Sequence, residues 1–248
     1  MEEITSTKIF GLRAIIEAIN ANATIQKVYL QKDLKGHLYT ELTALIKEYS
    51  IPFSYVPVEK LNHLSKNNNH QGAAASISPV SFVDLNELIE NSLEANSTPL
   101  FLLLDQITDV RNFGAIIRTA ECTGVNGIII QTSGSAPLNA ETIKTSAGAA
   151  FKVPISRVNH LKDALFALQA SEIQLVAATE KTEDTAYDID FTKGTALILG
   201  SEQRGIQPSI LKMVDAKAKL PLLGSIESLN VSVACGALLY EATRQRLK

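Results

Sequence analysis

The chain lacks the long apolar runs, the paired cysteines and the positive charge that mark several large classes of protein. None of its apolar stretches approaches the roughly 18 residues of a membrane helix, and no signal peptide is recognisable, so we expect a cytoplasmic protein. Cys122 and Cys235 lie far apart in apolar, helix-like segments, which predicts buried free thiols in a reducing compartment. The net charge of −3 excludes a global basic field, so nucleic-acid binding would need a local patch.

Several catalytic and cofactor-binding motifs are also absent. No G-x-G-x-x-G follows an apolar run and no G-x-x-x-x-G-K-[ST] occurs, which argues against a dinucleotide-binding or a P-loop enzyme. The four histidines form no metal-ligand spacing with either cysteine, and a G-x-S-x-G elbow is missing. Ordinary hydrolase and dehydrogenase mechanisms are therefore disfavoured, and nothing in the sequence calls for a metal.

The first third of the chain alternates short helical and strand-like segments, which indicates a compact α/β domain over residues 1–78. Residues 79–97 are predicted to form a linker with one helix over 82–93, for which Asp84 is a plausible N-cap. The elements predicted within the first domain are helices at 9–19, 38–49 and 58–64 and strands at 26–30, 52–56 and 73–77.

Residues 98–248 alternate near-continuous apolar runs with helical patterns, which predicts an α/β domain with a parallel sheet covered on both faces. Neither predicted domain carries an excess of positive charge. The predicted strands are 100–104, 127–130, 174–178, 196–199 and 216–220, and the predicted helices are 114–123, 140–147, 161–170, 209–213 and 229–247.

Three polar segments follow apolar strands in this second domain, at 109–118, 201–205 and 225–232. In open α/β sheets ligands bind outside the carboxyl ends of the strands, so the three segments are predicted to share one site. The side chains of interest are Asn112, Arg118, Glu202, Ser228 and Asn230.

Each of these side chains also has a purely structural interpretation. Asn112, Ser228 and Asn230 would serve as helix N-caps, and Glu202 would accept backbone N–H bonds at the end of its strand. Arg118 would be a solvated helix charge, although its apolar neighbours Ile116 and Ile117 predict a buried or cleft-lining guanidinium. A buried arginine needs an anionic or carbonyl partner, and its planar fork suits a phosphate.

The sequences NFGAIIRTA at 112–120, GSEQRG at 200–205 and SLNVSVA at 228–234 resemble, in order, the three motifs of the SpoU (TrmH) RNA 2′-O-ribose methyltransferases of the SPOUT superfamily. TSAGA at 145–149 resembles a further characteristic stretch of that family, and the likeness covers residues 98–248. Residues 11–15 and 70–75 resemble the ends of the N-terminal substrate-binding domain of many members, which is built like a small ribosomal RNA-binding protein.

The resemblance implies a deep trefoil knot in the C-terminal domain, a homodimer, and S-adenosylmethionine as cofactor. It implies that Arg118 contacts the ribose 2′-OH or the adjacent phosphate and favours the developing alkoxide. Asn112, Glu202 and Asn230 would orient Arg118 and the nucleotide, with help from Ser228. The implied cofactor contacts are Gln131, Gly200, Ser201, Ile206, Leu220, Leu222, Leu229 and Asn230.

The resemblance leaves the RNA target open. The additional N-terminal domain favours 23S ribosomal RNA, with transfer RNA as the alternative substrate and a non-catalytic RNA-binding or ribosome-assembly role as the alternative function. Arg13, Arg111 and Arg204 are candidate RNA contacts that would supply the local basic patch. Equally, a helix-start role for Arg13 and a solvated surface position for Arg111 and Arg204 fit the sequence.

Overall fold

A computed structural model describes residues 8–21, 23–78 and 80–247 of the chain, which folds into two compact units. The N-terminal unit comprises residues 1–81 with 138–140, and the C-terminal unit comprises residues 82–137 and 141–248. The predicted domain limits at residues 1, 79 and 248 lie outside the described residues.

The N-terminal unit is a four-stranded sheet with three helices. Its strands are arranged in the order β1-β4-β2-β3; β4 is antiparallel to both of its neighbours, and β2 and β3 are parallel. Its elements are β1 (Lys8–Phe10), α1 (Leu12–Asn20), β2 (Ile25–Gln31), α2 (His37–Glu48), β3 (Phe53–Val56), α3 (Val58–Leu64) and β4 (Ala73–Ile77).

The C-terminal unit is a six-stranded, wholly parallel sheet in the order β10-β8-β9-β5-β6-β7. Its elements are α4 (Leu85–Ala95), β5 (Leu100–Asp105), α5 (Val110–Cys122), β6 (Gly127–Gln131), α6 (Ala140–Thr145), β7 (Ile155–Val158), α7 (Leu161–Ala170), β8 (Gln174–Ala178), β9 (Thr195–Gly200), α8 (Pro208–Leu211), β10 (Ala216–Ala218) and α9 (Val231–Arg246).

The central strands of the C-terminal sheet, β5 and β9, are apolar over residues 100–104 and 196–199 because helices cover both faces. Phe101 and Leu103 of β5 face a buried cluster that contains residues of α4 and α7. Successive side chains on a strand point to opposite faces, so Leu102 and Leu104 point to the other face, where α9 contacts β9 and α5 packs against α9. The sheet therefore holds the ends of β5 and β9 at fixed positions.

Most predicted elements are confirmed, and several of their boundaries shift by one to four residues. Residues 9 and 10, predicted as the start of a helix, belong to strand β1 because Gly11, at φ +96°, turns the chain before α1 begins. The helix predicted from residue 82 begins at Leu85, after its predicted N-cap Asp84. The helix predicted from residue 114 begins at Val110, because the Asp109 carboxylate accepts hydrogen bonds from the backbone N–H groups of the first turn.

The prediction that both cysteines are buried is right for Cys235 and wrong for Cys122. Cys235 lies inside α9, and burial raises the pKa of its thiol to about 12. Cys122 ends α5 on the exposed side of that helix, four residues after Arg118, which is also exposed. Within the described ranges no helix is both long and apolar enough to cross a membrane.

Candidate active site

A cavity of about 380 Å³ lies at the carboxyl ends of three neighbouring strands, β9, β8 and β10. Its floor is formed by strand ends such as Ala178, Leu199 and Ala218, and its wall by the loop after β9 and the segment between β10 and α9. Apolar lining is supplied by Leu220, Leu222 and Leu229. The position agrees with the rule that parallel sheets bind ligands beyond their carboxyl ends.

The loop after β9 turns back so tightly that Gly200 touches the backbone five residues later. A Cβ atom built on Gly200 would lie 2.1 Å from the carbonyl carbon of Gly205 and 2.3 Å from the nitrogen of Ile206. The turn is closed by a hydrogen bond of 2.8 Å from the Gly205 N–H to the Ser201 carbonyl. Only glycine at position 200 permits this approach, which presents the loop backbone to the cavity.

Asn112, Glu202 and Asn230, one from each of the three polar segments, meet in a single hydrogen-bonded cluster. The Glu202 Oε1 atom accepts from Asn112 Nδ2 at 3.1 Å and from Asn230 Nδ2 at 2.6 Å. Asn230 Nδ2 also donates to Asn112 Oδ1 at 2.9 Å. The cluster thereby ties α5, the loop after β9 and the start of α9 together, as the sequence predicts for one shared site.

Asn230 is also the N-cap of α9. Its Oδ1 atom accepts hydrogen bonds from the Ser232 N–H at 2.9 Å and from the Val233 N–H at 3.3 Å. The Val231 N–H points instead at Glu202 Oε1, at 3.3 Å, so the carboxylate lies at the positive end of the helix dipole. Asn230 therefore caps the helix and takes part in the cluster at the same time. The other carboxylate oxygen, Glu202 Oε2, accepts no hydrogen bond from the described residues.

Asp105 and Gln207 anchor the loop after β9 to the end of β5. Neither residue is identified from the sequence. Asp105 ends β5, is wholly buried, and accepts hydrogen bonds from the Gln207 backbone N–H at 2.7 Å and from Gln207 Nε2 at 2.8 Å. The carboxylate thus fixes the point where the loop after β9 returns to the core. The available signal was an acidic residue that closes the apolar run LFLLLD.

Replacing Asp105 with alanine is expected to lower the free energy of unfolding by about 2–4 kcal/mol, because it leaves the half-buried Gln207 N–H and side-chain amide without their carboxylate acceptor. Thermal and urea unfolding measure the loss. A double-mutant cycle with Gln207→Ala isolates the side-chain hydrogen bond from the backbone one. Strictly additive losses in the two single variants would show that the side chains do not interact.

The structure places Arg118 and Ser228 outside the hydrogen-bonded cluster. Arg118 is exposed on α5, which corrects the expectation of a buried or cleft-lining guanidinium. The apolar neighbours that prompted this expectation face the sheet, whereas Arg111, Arg118 and Cys122 recur at helical spacing on the solvent side. Ser228 lines the cavity beside Leu229 and is exposed.

The residues predicted to bind the cofactor divide into two groups. Those that line the cavity are Gly200, Ser201, Leu220, Leu222 and Leu229. Two are not among the lining residues: Gln131 ends β6 on the far side of β5 from β9, and Ile206 has a buried side chain, although its backbone nitrogen adjoins Gly200. Asn230 borders the cavity between the lining residues Leu229 and Val231.

Sequence reasoning missed one wall of the cavity, formed by the polar residues that follow β8, among them Thr179, Glu180 and Lys181. The rule about strand ends applies to this segment as well, since it follows the apolar run of β8 directly. Among the described residues, no group of three or more His, Cys, Asp or Glu side chains is placed to hold a metal ion.

The three predicted RNA contacts are all exposed but lie on different elements. Arg13 is on the outer side of α1, and Arg204 lies in the loop after β9, where it also lines the cavity. Arg111 is in the first turn of α5, with its Nε atom 3.8 Å from Glu141 Oε1. This ion pair is exposed and therefore weak, so it leaves Arg111 available to another anion.

Comparison with known proteins connects both units to RNA modification. Residues 99–240 match the model of the SpoU rRNA methylase family, and residues 8–83 match the model described as RNA 2′-O ribose methyltransferase substrate binding. The Bacillus subtilis protein YacO, whose name places it in the TrmH family of tRNA/rRNA methyltransferases, is 31% identical over 96% of this chain and 95% of its own length.

Two solved structures are similar to the fold. An AdoMet-bound rRNA methyltransferase from Sinorhizobium meliloti has a TM-score of 0.63 at 25% identity, covering 97% of this chain and 88% of its own. The A. aeolicus TrmH/SpoU tRNA modifying enzyme has a TM-score of 0.56 at 32% identity, covering 66% of this chain and 82% of its own. Since the SpoU model spans more than half of the residues and YacO matches nearly the whole length, the chain belongs to the SpoU family of RNA 2′-O-ribose methyltransferases.

Proposed function

We propose that the protein transfers a methyl group from S-adenosylmethionine to the 2′-hydroxyl of one ribose in a structured RNA. The observation that carries this proposal is the Asn112–Glu202–Asn230 cluster, which stands beside a ligand-sized cavity at the carboxyl ends of parallel strands. A ribose hydroxyl is a weak nucleophile with a high pKa, so the site must position it and stabilise the oxyanion that forms.

The cavity fits S-adenosylmethionine in size and in the chemistry of its lining. Its volume of about 380 Å³ falls in the range of small-molecule sites. Leu220, Leu222 and Leu229 offer an apolar surface to the adenine ring, while the tight turn at Gly200 exposes backbone groups for its polar edge. When bound, the cofactor supplies an electrophilic methyl group. The S. meliloti relative, which has the same fold, holds AdoMet.

Glu202 and the two asparagines orient the groups that react. Glu202 Oε1 is fully engaged by Asn112, Asn230 and the Val231 N–H, which fixes the direction of the carboxylate. Its Oε2 atom then remains to accept a hydrogen bond from the ribose. Much of the rate arises from holding the hydroxyl in line with the methyl group. Ser228, at the cavity wall, is placed to contact the same nucleotide.

Arg118 is assigned to the developing alkoxide and the neighbouring phosphate. It follows Asn112 by six residues, which places it about 9 Å further along α5 and turned by about 120° around the helix axis. Within one chain it therefore points away from the cluster, and it forms no hydrogen bond with it among the described residues. We accordingly place Arg118 opposite the cluster of a second subunit, in a homodimer.

The exposed side of α9 supports such a homodimer. Val233 and Tyr240 are 56% and 58% exposed, and Ala237 lies between them at helical spacing. The exposed stripe of α5 that carries Arg118 is on the helix packed beside α9. A second copy covering both helices would remove the apolar stripe from water and bring each Arg118 to the interface.

Replacing Val233 and Tyr240 with glutamate is expected to convert the dimer into a monomer, because two carboxylates would have to be desolvated in the interface. Light scattering after gel filtration measures the mass. The matched control is Phe166→Glu, a 62% exposed apolar residue on α7, which should leave the dimer intact. A monomeric wild-type protein, or equal dissociation by the control, would refute this interface.

We also infer that the segment from residue 219 to residue 230 threads the trefoil knot implied by the family motifs. It leaves the edge strand β10, runs along the cavity at the ends of the central strands, and reaches α9, which packs against α5. This path would fix the cofactor loops without a disulfide or a metal.

Ribosomal RNA is the preferred target. The substrate-binding family model matches residues 8–83, and the tRNA-modifying relative from A. aeolicus covers only 66% of the chain. An additional RNA-binding domain suits a substrate that must be selected within a large folded RNA. An RNA substrate of either kind agrees with the cytoplasmic location expected from the sequence.

The function is tested by methyl transfer from labelled S-adenosylmethionine to ribosomal RNA and to transfer RNA, each purified from cells that lack the protein. The expected result is label in ribosomal RNA at a single linkage that resists alkali, since a 2′-O-methyl group blocks cleavage there. Label only in transfer RNA would reject the preferred target and keep the reaction. Absence of label in both, together with measurable cofactor binding, would favour a binding-only role.

A further inference from the structure

The sheet of the N-terminal unit has two faces with unequal cover. On one face α1 and α2 bury Val28, Leu30 and Ala75 in the main core of this unit. Among the described helices, α3 is the one that packs on the other face, against a small cluster around Val56 and Ala74. Part of this second face is therefore exposed to solvent. The solvent-exposed face of a sheet normally carries polar side chains.

The strand register places lysines and aromatic rings in two adjacent rows on the open face. Lys8 of β1 and Lys27 of β2 both pair with Ser76 of β4, and residues that pair across strands point to the same face. Two residues further along these strands, and on the same face, Phe10 and Tyr29 both pair with Ala74. The rows therefore bring two ammonium groups beside two half-buried rings.

A third ammonium group reaches the same place from α3. The Lys60 Nζ atom lies 5.6 Å from the centroid of the Tyr29 ring, and the Lys27 Nζ atom lies 5.7 Å from the same centroid. Both distances fall within the range of a cation–π contact, so the ring itself gathers the two positive charges. Two like charges at one ring repel each other and are best stabilised by an anion between them.

In the part of the chain that the structure describes, no acidic side chain supplies such an anion at this place. Lys8, Lys27 and Lys60 form no ion pair among the described residues, and neither row contains an acidic side chain. Glu59 precedes Lys60 on α3, but adjacent residues of a helix do not face each other. Lys8 and Lys60 are exposed and Lys27 is half-buried, so the positive charge is open to a partner.

We propose that this open face, defined by Lys8, Lys27, Lys60, Phe10 and Tyr29 and called here the lysine face, binds an unpaired segment of the RNA substrate. The ammonium groups contact successive phosphates, and the edge of the Tyr29 ring packs against a base. The inference rests on the proposed function, since it takes RNA as the substrate. It adds a surface that neither the sequence motifs nor the cavity of the C-terminal unit indicates.

Single-stranded or looped RNA fits this face better than an acidic protein or a lipid surface does. Basic side chains interleaved with aromatic rings are the usual platform for unpaired nucleotides, which present a phosphate and a base face together. A lipid surface would require apolar side chains that project outward, whereas Phe10 and Tyr29 are half-buried. Arg13 lies on α1, which covers the opposite face, so its contribution is separable by mutation.

The test compares two triple variants of the full chain that remove the same charge. The first carries Lys8→Gln, Lys27→Gln and Lys60→Gln. The control carries Lys32→Gln, Lys35→Gln and Lys47→Gln, all exposed in the same unit on the loop after β2 and on α2. Binding of ribosomal RNA and of transfer RNA from cells lacking the protein is measured over a range of salt concentrations, beside binding of S-adenosylmethionine.

We expect the first variant to lose about 10- to 100-fold in affinity for the RNA that the wild-type protein methylates, and its slope of log K against log salt to fall by about 2 units. The control should lose less than about 3-fold, and both variants should bind S-adenosylmethionine normally. Tyr29→Leu should weaken RNA binding with a smaller fall in the salt slope than the first variant shows, because the three lysines that displace counterions remain.

The outcomes separate this inference from the proposed function. Equal losses in the two triple variants, or an unchanged salt slope in the first, would overturn the lysine face while methyl transfer by the wild type stands. If the wild type binds RNA but transfers no methyl group, the proposed reaction fails and the two variants still decide the binding surface. If the wild type binds neither RNA, both proposals are rejected.

Discussion

Replacing Gly200 with alanine is expected to raise the dissociation constant for S-adenosylmethionine about 100-fold, the equivalent of roughly 3 kcal/mol at the upper end of overpacking costs. The added methyl carbon would lie 2.1 Å from the Gly205 carbonyl carbon and 2.4 Å from its oxygen. These are backbone atoms, so no side-chain rotation relieves the clash. The loop after β9 must open, and it forms one wall of the proposed cofactor cavity.

The effect should appear in calorimetric titration with the cofactor and, more weakly, in the melting temperature. Gly224→Ala is the matched control, because Gly224 lies in the segment between β10 and α9 and a Cβ there meets nothing within 4 Å. This control should bind the cofactor as the wild type does. Near-normal cofactor binding by the Gly200 variant would mean that the cavity is not the cofactor site.

The meeting of Asn112, Glu202 and Asn230 could be predicted from the sequence because a parallel sheet brings its carboxyl ends to one edge. Each residue lies in the polar segment that follows an apolar strand, and the structure joins all three through one carboxylate oxygen and one amide. The prediction needed only the strand direction. It did not require knowledge of which strands are neighbours.

The placement of Gln131 shows where this reasoning stops. The loop after β6 follows a strand just as the loops after β8 and β9 do, and spacing alone does not rank them. Strand order decides: β8 is next to β9, whereas β5 separates β6 from it. The order of the strands in a parallel sheet depends on the crossover connections, and the sequences of the strands do not reveal it. The polar residues after β8 were overlooked for the same reason.

The exposure of Arg118 is different, because helical periodicity contains the answer. Arg111, Arg118 and Cys122 repeat at spacings of seven and four residues, while Phe113, Ile116 and Ile117 fill the opposite side of α5. The residues next to Arg118 in sequence lie on different sides of the helix. Their average hydrophobicity therefore predicts burial, although Arg118 itself lies on the exposed side. Asp105, in contrast, is buried because its carboxylate accepts two hydrogen bonds from Gln207, 102 residues along the chain. Sequence periodicity does not reveal such a contact.

Replacing Arg118 with alanine is expected to reduce the rate of methyl transfer about 1,000-fold, since removal of a group that stabilises a developing oxyanion costs about 2.7–4 kcal/mol. Because Arg118 lies outside the cavity, the affinity for S-adenosylmethionine should not change. Lys162→Ala, which removes an exposed cation from α7, is the control and should be fully active. Loss of cofactor binding by the Arg118 variant would contradict the role assigned to Arg118 in stabilising the alkoxide.

Mixing two inactive variants tests whether Arg118 acts across the dimer. Arg118→Ala and Glu202→Ala subunits are unfolded and refolded together, so that mixed dimers form. If each site combines Glu202 of one subunit with Arg118 of the other, a mixed dimer contains one site with both residues intact. Since about half of the dimers in an equal mixture are mixed, about a quarter of the wild-type rate returns. If both residues act within one chain, every site lacks one of them and the mixture stays inactive. Recovery is the expected result, because α5 turns Arg118 away from Asn112 and from the cluster that Asn112 joins.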